Sequence, residues 1–238
     1  AYRHLSEFLP GFVVRKQQQQ MVQRVSGVLS AEGRGLIEAP TGTGKSIGYL
    51  IPGIVTAVEQ DKVLVVSTAT ASLQDQLASK DIPLAIKALA GAGIPGTQWA
   101  GAKGRERHLC PVKLEALTST TDLFNQGDKP LHDKIGDLWE SGSWDGVRDT
   151  LPMRIDRQAW SQVANTSASC VGEGCPSYEG CPYYEAIGKA KKARVIITNH
   201  DYLLANFANV DKSYLCDSER NIFVFDEAHH LSDKILSA

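Results

Sequence analysis

The 238-residue sequence has no long apolar run, and its hydrophobic stretches fall far short of the roughly 18 residues that a membrane span needs. It also has no N-terminal segment with a basic start, an apolar middle and a small-residue cleavage site, so a secretory signal is not indicated. These two absences predict a protein without a membrane partner that works inside the cell. No motif repeats at a fixed period, which excludes a repeat architecture.

Two further absences concern charge and cysteine. The 25 basic residues are balanced by 27 acidic ones, for a formal net charge of −2, so any nucleic-acid contact must come from local basic patches. The chain also lacks an even number of cysteines, since it has five. An odd number in a chain without a secretory signal argues against a disulfide framework and favours metal or cluster ligation.

Helix-like and strand-like segments alternate at both ends of the chain. Helices are predicted over 15–30, 44–59 (kinked or broken at 52–53), 71–80 and 201–206, and strands over 35–39, 62–67, 194–198 and 221–225. This alternation predicts an α/β domain with a mostly parallel sheet. Between 99 and 194 the apolar periodicity weakens and four of the five cysteines occur. We therefore predict one lobe formed by 1–98 and 195–238, with an inserted cysteine-rich module over 99–194.

A glycine-rich turn follows the first apolar run. Residues 39–46, Ala-Pro-Thr-Gly-Thr-Gly-Lys-Ser, match the phosphate-binding P-loop, with alanine in place of the first glycine. The two glycines allow a tight turn whose N–H groups point at one phosphate at a helix N-terminus, and the lysine adds a positive charge. The serine hydroxyl suits Mg²⁺. The predicted nucleotide contacts are Thr41, Gly42, Thr43, Gly44, Lys45 and Ser46.

A pair of acidic residues follows the last predicted strand. Asp226 and Glu227 come directly after it, at the end of the strand where α/β sheets place their ligands. Asp226 is predicted to hold Mg²⁺, and Glu227 to orient and deprotonate the attacking water. The predicted catalytic residues are therefore Lys45, Asp226 and Glu227.

Four cysteines have a spacing typical of ligands. Cys170, Cys175 and Cys181 form a tight group, and Cys110 lies 60 residues upstream. Four thiolates select zinc or an iron–sulfur cluster. The spacings are longer than those of most zinc sites, and three of the four cysteines precede proline, but composition and spacing leave cluster, zinc and free thiols open. Cys216 stands outside this pattern and is predicted to be a thiol without a ligand role.

The Asp-Glu-Ala-His segment (DEAH) downstream of such a P-loop resembles superfamily 2 helicases. Arg15 and Gln18 lie where the DinG/XPD family has its adenine-reading residues, and 67–77 is similar to the family's motif for the nucleic-acid backbone. Further similarities occur at 104–105, 144–149, 198–200 and 226–230. The sequence thus resembles DinG/XPD-type iron–sulfur DNA helicases, most closely the bacterial DinG branch.

This resemblance implies a RecA-like P-loop NTPase lobe with an inserted iron–sulfur module, whose [4Fe–4S] cluster is bound by Cys110, Cys170, Cys175 and Cys181. It also implies ATP and Mg²⁺ as cofactors, single-stranded, forked or R-loop DNA as partner, 5′-to-3′ movement, a role in repair or replication, and a monomer in the bacterial cytoplasm. The sequence stops just after the DEAH segment, so we expect these residues alone to lack the second motor lobe and not to unwind DNA. The rival interpretations are a redox-sensing P-loop protein and a zinc-stabilised NTPase without a nucleic-acid partner.

Two basic runs flank the cysteines. The first has Lys103, Arg105 and Arg107, and the second has Lys189, Lys191, Lys192 and Arg194. If Cys110 and Cys181 bind one cluster, these runs lie close together and form an anion-binding surface, beside which Tyr178, Tyr183 and Tyr184 are placed to stack bases. The alternative is a solvated lysine-rich helix with tyrosines that pack inside the insert.

Overall fold

The computed structural model describes residues 15–94, 96–119, 129–208 and 213–237. The chain divides into two compact units, Ala1–Ala102 with Lys189–Ala238, and Lys103–Gly188. The second unit lies slightly inside the predicted limits of 99–194. The reason is that 99–101 form a strand of the first unit's sheet, and residues 190 and 193 pack in the first unit's core.

In the described ranges the helices and strands have the following bounds. The helices are α1 (Lys16–Ser30), α2 (Lys45–Glu59), α3 (Ala71–Gln76), α4 (Ile82–Gly91), α5 (Pro111–Ser119), α6 (Lys129–Glu140), α7 (Arg157–Val163), α8 (Pro182–Lys192), α9 (His200–Phe207) and α10 (Leu231–Ser237). The strands are β1 (Val63–Thr68), β2 (Trp99–Gly101), β3 (Val195–Asn199) and β4 (Asn221–Phe225).

The four strands form one sheet in the order β2-β3-β1-β4, and every neighbouring pair is parallel. The predicted α/β class with a parallel sheet is confirmed, and the strands predicted over 62–67, 194–198 and 221–225 lie within one residue of β1, β3 and β4. The register pairs Thr68 with Asn199 and Ser67 with Phe225. The carboxyl ends of β1, β3 and β4 therefore meet at one edge of the sheet.

Helices cover both faces of this sheet. Leu64 and Val66 of β1 pack with residues of α1, α2 and α4, whereas Val63 and Val65 pack with residues of α9 and the end of α8. Successive side chains of a strand point to opposite faces, so β1 is buried along its whole length. Such two-sided burial explains why the run is apolar throughout, as parallel strands are.

Three predictions for the first unit need correction. Residues 35–39 are not a strand: Leu36 is 94% exposed, and no described residue supplies a neighbouring strand to bind the backbone N–H and C=O groups. The helix at 44–59 is not broken at Pro52, because α2 runs unbroken through it with that stretch buried against the sheet. The helix predicted over 71–80 is α3 followed by a π-helical turn, Leu77–Asp81.

The second unit has its own core. Its buried side chains include Leu109, Ile135, Trp144 and Trp160, and the two tryptophan rings meet edge to face with centroids 6.2 Å apart. Both indole N–H groups donate to backbone oxygens at 2.8 Å, Trp144 to Val147 and Trp160 to Glu106. An indole ring can be buried without leaving a polar group unpaired when its N–H is hydrogen-bonded. The second unit is therefore stabilised by a hydrophobic core of its own.

Candidate nucleotide site and cysteine pocket

The P-loop turns sharply just before α2. Gly42 and Gly44 both have a φ of 77°, in the left-handed region that glycine adopts freely. Thr43 is buried, and its hydroxyl donates to the Pro40 carbonyl at 2.7 Å. The turn delivers the chain into α2 at Lys45, where the first N–H groups of a helix are available to an anion. The predicted phosphate contacts thus lie together in one loop.

Arg15 and Gln18 contact the back of this loop. The Arg15 guanidinium donates to the Gly42 carbonyl, and the Gln18 amide donates to the Gly44 carbonyl at 2.9 Å. Gln18 is 4% exposed, and a Cβ at position 44 would lie 2.2 Å from its amide nitrogen. The φ at 44 favours glycine, and a side chain there would displace the Gln18 amide from this contact. Adenine reading by Arg15 and Gln18 stays a prediction, since the structure shows them supporting the loop.

The DEAH turn closes the site from the other side. Asp226 follows β4 directly, and its N–H donates to the Ser67 carbonyl at 2.8 Å, which continues the β1–β4 pairing by one residue. Glu227 then has a φ of 55°. Its Oε1 accepts a hydrogen bond from Lys45 Nζ at 2.5 Å, and His229 Nδ1 lies 3.5 Å from its Oε2. Lys45, Asp226 and Glu227, the three predicted catalytic residues, are thus brought together at one edge of the sheet.

The two carboxyl groups differ in electrostatics. Burial raises the pKa of Asp226, and the charge of Glu227 raises it further, against hydrogen bonding to Tyr49. The hydrogen bond from Lys45 holds the pKa of Glu227 below its ordinary value, although partial burial acts in the opposite sense. Adjacent residues in one turn therefore have opposite tendencies in this state: a cation beside Asp226 would favour its charged form, and Glu227 is a weak proton acceptor while Lys45 holds it.

Two side chains at this site were missed by the sequence analysis. The Tyr49 hydroxyl donates to Asp226 Oδ2 at 3.3 Å, and burial together with the charge of Asp226 raises the Tyr49 pKa well above its ordinary value. Asp81 ends the π-helical turn, and burial raises its pKa while a hydrogen bond with Ser46 opposes that shift. A lone tyrosine and a lone aspartate have no spacing that a sequence reader can recognise.

A buried polar pair lies behind the DEAH turn. His200 Nδ1 and Ser67 Oγ are 2.7 Å apart, and both residues are 0% exposed. Burial lowers the pKa of His200, although the backbone groups of Glu227 and Asp226 act in the opposite sense. Its Nε2 has no hydrogen-bond partner among the described atoms. The ring is thus held uncharged beside the two acidic residues.

The motif predicted to contact the nucleic-acid backbone is only partly accessible. Ser67 and Thr68 are 0% exposed, and Thr68 donates to the Thr70 carbonyl at 3.0 Å. Gln74 is also buried, with its amide donating to the Ala102 and Ile197 carbonyls. Thr70 and Ser72 are exposed at the start of α3, so they are the hydroxyls of this motif that remain available to a phosphate.

The four predicted ligand cysteines line one cavity of about 200 Å³, which is several times the roughly 30 Å³ share of one water in the liquid. In the described part of the chain, no three His, Cys, Asp or Glu side chains converge closely enough to hold a single metal ion. The thiols are therefore spread around the cavity. Cys216 lies elsewhere, buried in the core of the first unit, where burial raises its pKa.

Polar groups face two of these sulfurs. The buried Asn165 amide donates to Cys181 Sγ at 3.6 Å, and the Tyr184 hydroxyl lies 3.7 Å from Cys170 Sγ. Burial would raise the pKa of Cys170, but hydrogen bonds from the Gly172 backbone and Tyr184 and the charge of Arg105 lower it overall. The pocket thus favours a thiolate at Cys170, the form in which cysteine binds metals.

The first basic run is engaged within the second unit. Asp149 binds both Lys103, at 2.9 Å, and Arg107, whereas the Arg105 guanidinium lies 4.1 Å from the centre of the Tyr183 ring. The tyrosines also pack together: the centre of the Tyr184 ring lies 4.5 Å from that of Tyr178 and 5.2 Å from that of Tyr183. These contacts favour packing inside the insert for the tyrosines. DNA binding by either basic run stays a prediction.

Comparison with known proteins points to one class. Residues 162–238 match the DEAD_2 family. The chain is 40% identical to the ATP-dependent DNA helicase DinG of Escherichia coli (strain K12) and 36% identical to the DinG helicase of Photobacterium profundum, over 98% and 97% of this chain and 34% of each relative. The solved structure XPD_Helicase has a TM-score of 0.52 at 17% identity, over 93% of this chain and 34% of that one, which bears on the fold alone.

The fold is an α/β lobe with a parallel sheet, similar to part of the solved XPD_Helicase structure. The sequence is similar to DinG helicases over nearly its whole length, as its motifs predicted. It spans about a third of the length of the curated relatives it matches. Within the described ranges, no helix has both the length and the apolar character needed to cross a membrane.

Proposed function

We propose that the chain supplies the ATP-binding part of a DNA helicase that couples ATP hydrolysis to 5′-to-3′ movement along single-stranded DNA, in repair or replication at forks or R-loops. The observation that carries the proposal is the 2.5 Å contact between Lys45 and Glu227. It places the phosphate-binding charge and the candidate base in direct contact within one site. The motifs and the matches to DinG helicases of bacterial origin support the activity and a cytoplasmic location. A monomeric state is part of the same proposal.

The nucleotide site implies an exchange of partners. Without nucleotide, Lys45 neutralises Glu227 and keeps the pKa of that carboxyl low. A γ-phosphate that binds Lys45 removes this hydrogen bond, so the pKa of Glu227 rises and the carboxylate becomes a better acceptor for the proton of the attacking water. Ser46 and Asp226 are the residues that would hold Mg²⁺, which supplies positive charge for phosphoryl transfer. Arg15 and Gln18 hold the loop in shape during this exchange.

The test is ATP turnover by the full-length protein with and without single-stranded DNA. We expect DNA to stimulate turnover, and we expect Lys45→Ala to remove both the basal and the stimulated rates. ATP turnover that ignores DNA would instead support one of the rivals, a redox-sensing P-loop protein or a zinc-stabilised NTPase. A strand-displacement assay on 5′- and 3′-tailed duplexes then tests the direction of movement.

We also propose that Cys110, Cys170, Cys175 and Cys181 bind a [4Fe–4S] cluster. A single zinc ion needs its thiolates about 2.3 Å from one point, whereas a four-iron cluster takes one cysteine on each iron and so spreads them. The four cysteines share one cavity of about 200 Å³, which offers room for a group larger than a single ion. When bound, the cluster supplies a cross-link among these segments and a one-electron centre.

A further inference from the structure

The cysteine pocket contains two hydrogen-bond donors aimed at sulfur, and neither belongs to the predicted ligand set. The Asn165 amide lies 3.6 Å from Cys181 Sγ, and Asn165 is only 2% exposed. The Tyr184 hydroxyl lies 3.7 Å from Cys170 Sγ. A buried amide is costly unless it is hydrogen-bonded, so its position against a sulfur calls for a reason.

The direction of the Asn165 amide is set by its other contacts. Its Oδ1 accepts from Arg105 Nη1 at 3.4 Å, and its backbone N–H donates to the His108 carbonyl at 2.8 Å. Because Oδ1 is engaged by a cation that can only donate, the NH₂ group must face Cys181 Sγ. The amide therefore acts as a donor to sulfur.

Contacts of the Tyr184 ring fix the position of its hydroxyl. That ring contacts the rings of Tyr178 and Tyr183, and the Arg105 guanidinium lies 5.6 Å from its centre. A metal-bound thiolate has no proton to give, so the hydroxyl has to donate to Cys170. Both donors thus point at sulfurs that the cluster would use.

We propose that Asn165 and Tyr184 set the reduction potential of the cluster by donating hydrogen bonds to the sulfurs of Cys181 and Cys170, an inference that rests on the proposed cluster. Reduction adds negative charge to the cluster and its thiolates. Donors to those sulfurs, and the nearby Arg105 cation, stabilise the reduced state more than the oxidised state. The two residues therefore raise the potential without being ligands.

The test is the midpoint potential of the anaerobically purified full-length protein, with iron and sulfide measured on each sample. Tyr184→Phe removes one hydroxyl and keeps the ring that packs on Tyr178 and Tyr183. We expect it to retain iron and sulfide and to lower the potential. A tenfold smaller ratio of reduced to oxidised cluster at a fixed potential corresponds to about 59 mV for a one-electron couple. Asn165→Ala should shift the potential in the same direction.

Tyr183→Phe is the matched control, because it removes a hydroxyl from the neighbouring ring, and the structure records the sulfur contact for Tyr184. Its potential should equal that of the unmodified protein. If Tyr184→Phe keeps its iron and sulfide and its potential also stays unchanged, the inference is wrong while the proposed cluster stands. If the unmodified protein contains no iron or sulfide, the proposed cluster itself is wrong and the inference is lost with it.

Discussion

Lys45 Nζ and Glu227 Oε1 lie 2.5 Å apart, although 182 positions separate the two residues in the chain. Both side chains are about three-quarters buried, with 27% and 28% of their surfaces exposed. The charge that should hold a phosphate is therefore already occupied by the group that should activate water. A nucleotide has to separate the pair before it can bind productively.

Substitutions of Lys45 and of Glu227 should differ in their effects on nucleotide binding. Lys45→Ala should lower ATP turnover by about 10²–10³-fold and weaken ATP binding, because a preformed phosphate site loses its charge. Glu227→Gln should stop turnover but bind nucleotide at least as tightly as the unmodified protein, since it no longer competes for Lys45. Nucleotide titration of the full-length variants measures both. Weaker binding by Glu227→Gln would contradict the competition.

Tyr49→Phe tests the support of the Mg²⁺ site. The change removes the hydroxyl that donates to Asp226 Oδ2 and leaves the buried ring. Loss of such an outer contact typically costs about 10–100-fold in metal affinity, so the Mg²⁺ concentration for half-maximal turnover should rise by about tenfold or more. Tyr178→Phe, in the second unit, is the control and should leave it unchanged. Equal Mg²⁺ dependence in Tyr49→Phe and the control would show that the hydroxyl has no role.

The cysteines should separate into two classes. Anaerobic protein should contain about four iron and four sulfide per chain, as a four-cysteine cluster requires. Serine at any of Cys110, Cys170, Cys175 or Cys181 should reduce that content and bleach the brown colour. Cys216→Ser should keep both, because this thiol lies in the core of the first unit. Stoichiometric zinc without sulfide would show that the metal was assigned wrongly.

Because His200 is buried, we expect the folded protein to lose stability in acid. Its pKa is lowered from an ordinary value of 6.5, so the unfolded chain binds a proton that the folded chain refuses. The stabilisation is complete above pH 6.5 and declines as the pH falls toward the folded pKa, by at most about 1.4 kcal/mol per pH unit. The two charged groups that act on the pKa of His200, Lys234 and Asp201, pair with each other at 2.5 Å.

Urea unfolding of the unmodified protein and of His200→Asn between pH 8 and 5 measures this effect. Asparagine can still hydrogen-bond Ser67 but does not titrate, so the stability of the variant should depend less on pH below 6.5. Parallel curves for the two proteins would rule out His200 as the source.

The lysines at the end of α8 test the DNA path. Lys189, Lys191 and Lys192 lie in the last turn of this helix and are exposed. Neutralising all three with glutamine should weaken single-stranded DNA binding and reduce the salt slope by about one for each lost phosphate contact. The control removes the same charge elsewhere, with glutamine at Lys16, Lys134 and Arg220. The same salt slope in both triple variants would place the DNA path away from α8.

The sequence predicted the sheet well and the loops less well, for a physical reason. β1 and β3 are buried on both faces, so their apolar runs are unambiguous. Residues 35–39 contain only two large apolar side chains, and a strand also needs a neighbour, which no local pattern reports. The π-helical turn that ends at Asp81 likewise departs from the single period that the prediction assumed.

At the site, sequence motifs identified which residues gather but not how they pair. The P-loop and DEAH patterns predicted Lys45, Asp226 and Glu227 as one site, and the structure places them at one edge of the sheet, whereas the ion pair of Lys45 with Glu227 depends on the turn at 227. Tyr49 and Asn165 have no motif, since a contact with a carboxylate or a sulfur is set by three-dimensional packing. Such supporting residues become visible only when the chain is folded.

The positive φ of Glu227 has a consequence for screens of variants of this protein. Its φ of 55° falls in the region that Gly42 and Gly44 also occupy, and a residue with a side chain there costs about 1–2 kcal/mol. The glutamate is thus retained against the preference of its own backbone. A screen for heat resistance alone should enrich Glu227→Gly as a sturdier protein without turnover, whereas a screen for activity should never recover it.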